Sequence, residues 1–236
     1  MKKLFISLAV AASAFCSHAQ NIFDNPDNHA YFGARLSYEL ACPGDVDIDG
    51  FASKIDALGN SSGFSVGAIY NLPVWKNLYF EPGASIYYNT YSINKSMLSL
   101  ISEETFESAS VRQWGIRIPL HIGYHFDFTP DIRVAVFTGP EFNVSFKGNV
   151  HMGIDKYNVT GPAFGDEGYF NRADIKWRFG VGATLFDHYY IALSGAAGMC
   201  DLMRDDIVFD DANGLSRTPN LKMRSNLFNL TLGYNF

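Results

Sequence analysis

Between Gln113 and Phe126 every second residue is large and apolar: Trp114, Ile116, Ile118, Leu120, Ile122, Tyr124 and Phe126. Gly115, Arg117, His121, Gly123 and His125 fall between them. A helix would scatter the two sets around its circumference, whereas successive side chains of a strand point to opposite faces. The stretch reads as a strand with one apolar face and one polar face. The same period recurs along the chain. Phe32, Leu36, Tyr38 and Leu40 oppose Arg35, Ser37 and Glu39, and Phe64, Val66, Ala68 and Tyr70 alternate with Ser65 and Gly67. Leu78, Phe80, Ile86 and Tyr88 oppose Tyr79, Glu81 and Asn89; Ile132, Val134, Val136, Phe142, Val144 and Phe146 oppose Arg133, Glu141, Asn143, Ser145 and Lys147. Ile175, Trp177, Phe179 and Val181 oppose Lys176 and Arg178; a Gly- and Ala-rich segment from Tyr189 to Met199 alternates less cleanly. The last strand sets Phe228, Leu230, Leu232, Tyr234 and Phe236 against Asn229, Thr231, Gly233 and Asn235.

Connection lengths carry independent information. Short turns follow the second, fourth and sixth strands, at Leu72 to Asn77, Asp127 to Asp131 and Asp187-His188. Long polar connections follow the odd strands, at Ala41 to Ser62, Tyr91 to Ala109, Gly148 to Arg172 and Asp201 to Leu221. Strict alternation of short and long connections is the topology of a transmembrane barrel with short periplasmic turns and long extracellular loops. The expected fold is all-β: a single closed antiparallel transmembrane β-barrel of about eight strands. Composition agrees, with 47% hydrophobic and 15% aromatic residues but a mean hydropathy of only -0.02. No later stretch has the length of a transmembrane helix, and the net charge of -6 gives no footing for nucleic acid.

About eight strands leave an interior that side chains fill. The facing assignment turns Arg35, Glu39, Glu81, Arg117, Arg133, Glu141, Lys176 and Arg178 inward. Both signs are present, so paired charges are expected to plug the lumen. Tyr38, Tyr88, Trp114, Tyr124, Trp177 and Tyr189 are expected at the membrane interfaces. Tyr87, Tyr91, Tyr157, Phe164, Tyr169 and Phe170 are read as aromatics that meet a partner. The irregular run Thr160 to Gly165 is expected to pack as a loop.

At the amino terminus Lys2 and Lys3 precede the apolar run Leu4 to Phe15, and Ser17-His18-Ala19 has the small-x-small form of a cleavage site. Residues 1–19 therefore read as a secretory signal peptide and 20–236 as the barrel domain. The apolar ending Leu232-Gly233-Tyr234-Asn235-Phe236 resembles the closing strand and assembly signal of Gram-negative outer-membrane barrels. Ile118-Pro119-Leu120-His121-Ile122-Gly123-Tyr124-His125-Phe126 resembles the P-L-x-x-x-Y-x-F strand of the porin-like, PorT-type outer-membrane β-barrel family. Gly139-Pro140-Glu141-Phe142 is similar to the segment that follows it there, although Glu141 replaces a common aromatic. The resemblance implies an outer-membrane barrel of about eight strands and no single activity, since members range from surface proteins to a component needed for protein secretion.

The sharpest local motif lies in the first long connection. Asp45, Asp47 and Asp49 occupy positions one, three and five of an EF-hand-type loop, Gly50 position six and Asp56 position twelve. Alternating carboxylates converge where Gly50 permits a sharp turn, Phe51 offers its carbonyl, and Asp56 closes the shell; Phe51 to Leu58, ended by Gly59, reads as a short helix. The alternative is a solvated acidic surface loop. Asp201, Asp205, Asp206, Asp210 and Asp211 form a second acidic group, read as solvated or as bridged by divalent cations to lipopolysaccharide. His121 and His125 are about 13 Å apart on a strand and cannot share a metal directly; hydrogen bonding in the lumen or at its rim is expected. Cys42 and Cys200 lie on one side of the membrane on strands separated by a third, so a disulfide requires loop movement and two free thiols stand as the alternative.

Together these readings point to a non-enzymatic, integral barrel of the cell outer membrane. It would act in envelope structure or surface interaction through its extracellular loops. Outer-membrane lipid and lipopolysaccharide are its expected surroundings; no cofactor is required, and Ca2+ in the first loop is the one metal suggested. The alternatives are an accessory component of a secretion or envelope-assembly complex, with an envelope protein partner, and a small-solute porin.

Overall fold

The computed structural model describes residues 29–43, 47–48, 58–93, 106–129, 131–154, 157–165, 168, 170–204, 209–210, 216–217, 221–222 and 224–236. The segment read as a signal peptide lies outside them. Eight long strands carry the fold: β1 (Tyr31–Pro43), β2 (Leu58–Trp75), β3 (Leu78–Ile93), β4 (Phe106–Thr129), β5 (Ile132–Ile154), β6 (Ala173–Leu185), β7 (Tyr189–Gly198) and β8 (Ser225–Asn235). Each pairs antiparallel with its chain neighbour, and β1 pairs with β8 from Gly33↔Asn235 to Pro43↔Ser225. That last ladder closes the sheet into an eight-stranded barrel, which leaves its wall without an unpaired edge.

Burial is inverted relative to a water-soluble protein. Leu193 is 67% exposed on the outer wall, while Glu39 is 0% and Glu141 1% exposed inside. The whole apolar set faces out, Phe32, Leu36, Val66, Ile86, Val144, Phe179, Phe228 and Leu232 among it. Burying that surface in lipid is favourable at roughly 25 cal/mol per Å², so hydrocarbon is the medium this wall fits. Aromatics bound the band at both ends. Phe64, Tyr88 and Trp114 cluster toward the long connections, with ring centroids 4.8 to 6.3 Å apart. Tyr124 with Phe126, and Tyr189 and Phe236 with Tyr234, lie toward the short turns.

Several expectations need correction. The third long connection is largely strand: β5 continues through Ile154 and forms a hairpin with Tyr157–Pro162, which adds to β5 outside the barrel circle. A bulge at Phe146, where Trp114 pairs with Lys147 but Gly115 with Ser145, reverses the facing beyond it. Lys147, expected inside, is therefore exposed on the outer wall. The helix expected to end at Leu58 does not reach that residue, because Leu58 and Gly59 open β2. Arg133 sits at the periplasmic rim, only partly covered and paired with exposed Asp127 at 2.8 Å. Tyr87, Tyr91 and Phe164, read as partner contacts, are buried inside the barrel, and Phe170 packs against that interior. Tyr169 and the side chain of Tyr157 lie outside the described set.

Candidate functional site

In a barrel this narrow the lumen decides what can pass. Its floor, nearest the short turns, holds Arg35 4.0 Å from Glu81, with the guanidinium 4.1 Å above the Tyr190 ring. Tyr79 stacks on His125 at 4.2 Å and Phe137 lies 5.2 Å from His121. Nε2 of His121 and both ring nitrogens of His125 are buried and have no hydrogen-bonding protein partner among the described residues. Ring packing against Tyr79 and Phe137 holds them in place.

The middle level is a continuous charge chain. Arg117 on β4 binds Glu39 on β1 through both guanidinium termini, one contact being 2.9 Å from Nη2 to Oε2. Its Nε lies 3.0 Å from Glu141 Oε1 and donates to Asn143 Oδ1 at 2.8 Å. Glu141 in turn pairs with Arg178 on β6, whose Nη1 donates to Ser194 at 2.7 Å. Ser65 donates to Glu39 at 2.7 Å. The chain thus spans the lumen from β1 through β4 and β5 to β6 and β7. Above it Lys176 pairs with Asp174 at 2.7 Å and donates to the Ser225 carbonyl at 2.9 Å. Four cations and four carboxylates balance, which is what burial in a low-dielectric interior demands.

Close packing around the charges depends on glycine. A Cβ at Gly115 would stand 2.4 Å from the Tyr87 ring, and one at Gly123 2.4 Å from Tyr79. Each tyrosine lies flat across the neighbouring strand, filling cross-section that the glycine leaves open. The cavity that remains beside Arg35, Glu81, Arg117, Glu141, Arg178 and Tyr190 is about 80 Å³. At about 10–15 Å³ of such volume per water, that is room for about five to eight waters.

The extracellular mouth is closed by an apolar lid. Ala41, Tyr91, Val111, Val150, Ala163, Phe164, Ala196, Met203 and Leu227 form one buried cluster. The bulge at Phe146 is what turns Val150 inward, opposite Val111. After the Tyr157–Pro162 strand the chain folds back into the mouth: Ala163 N donates to Gly148 O at 3.0 Å and Phe170 N to Ala163 O at 3.1 Å. Asn171 fixes the fourth connection against it, donating from N to Leu202 O and from Nδ2 to Met203 O, both at 2.8 Å. Of the run Thr160 to Gly165, expected to pack as a loop, Thr160 to Pro162 instead belong to the hairpin strand, and Ala163 and Phe164 are the residues buried in the lid. The inward charges were legible in sequence; this lid was not, because its residues come from separate segments.

Of the calcium-loop residues, Asp45, Asp49, Phe51 and Asp56 lie outside the described residues, as does the side chain of Asp47. The backbone of Asp47–Ile48 pairs with Leu221–Lys222, joining the first and fourth long connections. Asp205, Asp206 and Asp211 are also outside the described set. Cys42 and Cys200 are both free thiols.

Among solved structures the chain is similar to Ail, the attachment invasion locus protein of Yersinia pestis, in complex with the heparin analogue sucrose octasulfate. Identity is 9% and the TM-score 0.42, over 89% of this chain and 100% of that one. It is also similar to the outer membrane protein OprG from Pseudomonas aeruginosa, at 10% identity and a TM-score of 0.43 over 88% and 96%. Neisserial surface protein A is similar at 11% identity and a TM-score of 0.40 over 89% and 100%. No curated protein matches the chain. The family model described as outer membrane protein beta-barrel domain matches residues 19–201. The chain belongs to that family and is an integral β-barrel of the outer membrane.

Proposed function

We propose that this protein is a non-enzymatic, non-conducting barrel that works through its extracellular connections, in envelope structure or surface interaction. The observation that carries the reading is how the lumen is filled. The Glu39–Arg117–Glu141–Arg178 chain crosses it, and the Phe164 lid covers it. A barrel whose centre is crossed, among the described residues, by paired charges and capped by packed aromatics offers its surroundings chiefly its lipid-facing wall and its two rims. The extracellular rim is the larger, built from strands that run past the aromatic girdle and pair across connections.

The PorT-type motif in β4 supports one refinement, an accessory place in a secretion or envelope-assembly complex. A small-solute porin fits the blocked lumen least. The test compares the full chain with a variant whose four long connections are replaced by short turns, both cross-linked in intact cells. Partners or surface phenotypes lost with the connections support the reading. Retention of all of them by the shortened barrel would place the function in the wall. A stoichiometric envelope protein captured by both forms would favour the accessory role.

A further inference from the structure

The hairpin above the outer girdle ends on a strand with one free side. Tyr157–Pro162 pairs with β5 along one side, and among the described residues no strand lies against the other. Which backbone groups face that side follows from the ladder. Ile154 and Tyr157 flank a two-residue turn, and Ala163 N returns to Gly148 O at 3.0 Å. Residues with the parity of Tyr157 and Ala163 therefore bond to β5, and Asn158 and Thr160 point N–H and C=O away from it. Natural edges are blunted by charge, bulges or proline. Here Asn158, Val159, Thr160 and Gly161 carry no charge, the register with β5 is unbroken, and Pro162 stands only at the lower end. The two faces of the strand differ. Thr160 Oγ1 hydrogen-bonds His151 Nδ1 at 3.0 Å on the polar face, while Val159, 45% exposed, pairs with Met152 beside the lid cluster.

We propose that this edge is a docking site for an extended segment of another protein, which adds antiparallel to Tyr157–Pro162 and continues the sheet. The edge stands clear of hydrocarbon. From Lys147, opposite the girdle residue Trp114, β5 runs on to Ile154, a rise of about 18 Å at a tilt of about 40°. Asn158 and Thr160 each offer one N–H and one C=O to the incoming segment. Side-chain pairing sets its pattern: polar or β-branched residues beside Asn158 and Thr160, and an apolar one beside Val159. A second copy does not meet these terms. Copies side by side in one membrane are related by an axis along its normal, whereas antiparallel pairing of identical strands needs an axis perpendicular to the sheet. The sheet continues the barrel wall and stands upright, so the two requirements conflict. The inference rests on the reading that the extracellular connections carry the function, and it gives the partner of one connection a backbone chemistry.

The experiment follows amide exchange by NMR in the folded mature barrel in detergent, with and without the probe peptide acetyl-Lys-Thr-Val-Thr-Val-Thr-Lys-amide. Without peptide, Asn158 and Thr160 should exchange at least about tenfold faster than Val159 and Gly161. Saturating peptide should slow them to the rate of those neighbours. One backbone hydrogen bond is worth about fivefold in affinity. Thr160→Pro removes one outward N–H and no bond to β5, so it should bind about fivefold more weakly. Thr160→Ala keeps that N–H and should bind as wild type. N-methylation of one alternate set of peptide amides should abolish the protection, and methylation of the other set should leave it. Slow exchange of Asn158 and Thr160 in the protein alone, whether from its own connections or from a second copy, would overturn the proposal. So would equal loss from both methylated peptides, or no protection by the unmethylated peptide at millimolar concentration. The surface-interaction reading fails separately: cells with the shortened connections would then keep every partner, whatever the edge does with peptide.

Discussion

Replacing Arg117 by Met tests whether the lumen charges act as one buried unit. The side chain is 5% exposed and serves both Glu39, 0% exposed, and Glu141, 1% exposed. Glu141 keeps Arg178 when Arg117 is lost, whereas Glu39 keeps only the Ser65 hydroxyl. An orphaned buried charge costs about 3–5 kcal/mol. Arg133→Met is the internal control: its pair with Asp127 is 27% and 47% exposed, and exposed pairs contribute about 0.2–1 kcal/mol. Unfolding by urea from lipid vesicles, followed by the fluorescence of Trp75, Trp114 and Trp177 on the outer wall, measures both. At a slope of about 2 kcal/mol per M, the Arg117 variant should lose about 2 M in midpoint and the Arg133 variant under about 0.5 M. Adding Glu39→Gln to Arg117→Met removes the orphan and should recover more than half of the loss. Equal midpoints for the Arg117 and Arg133 variants would refute the account of the lumen as a dry, paired network.

Three further outcomes are expected. Phe164→Ala removes the centre of the lid at a local cost of about 3–5 kcal/mol, so amide exchange should quicken from Ala163 to Arg172 while the β4–β5 wall stays protected; unchanged exchange there would contradict the lid. Gly115→Val sets a methyl-bearing carbon against the Tyr87 ring and should cost about 1–3 kcal/mol by overpacking, read as a lowered urea midpoint, and a variant as stable as wild type would count against that contact. Calcium should slow proteolysis of the first long connection in the wild type and not in Asp47→Ala or Asp49→Ala, and identical cleavage with and without the ion would reject the calcium loop.

The wall was legible because a barrel imposes one rule everywhere. Ile118 and Phe142 had to face lipid, so Arg117, Glu141 and Asn143 had to face in, and period two in the sequence carried that rule without any knowledge of partners. What alternation cannot carry is a change of phase. The bulge at Phe146 adds one residue to a ladder with no mark in composition, and beyond it Lys147 points out and Val150 in. The pairing of the lumen charges was equally hidden, since Glu39 and Arg117 stand 78 residues apart. Inward glycines were visible, but only three-dimensional register tells that Gly115 and Gly123 lie beneath tyrosines. The lid needed the hairpin, the returning segment at Ala163 and the fourth connection together, and nothing local in Phe164 distinguishes a plug from a surface aromatic.

The central claim is that the lumen is closed, and electrical recording from a planar bilayer tests it most directly. The purified mature barrel, inserted at low protein density in symmetrical salt, should give no discrete current steps above the bare bilayer. A reproducible ohmic channel from the folded wild-type protein, unaffected by substitutions at Arg117 or Phe164, would contradict it.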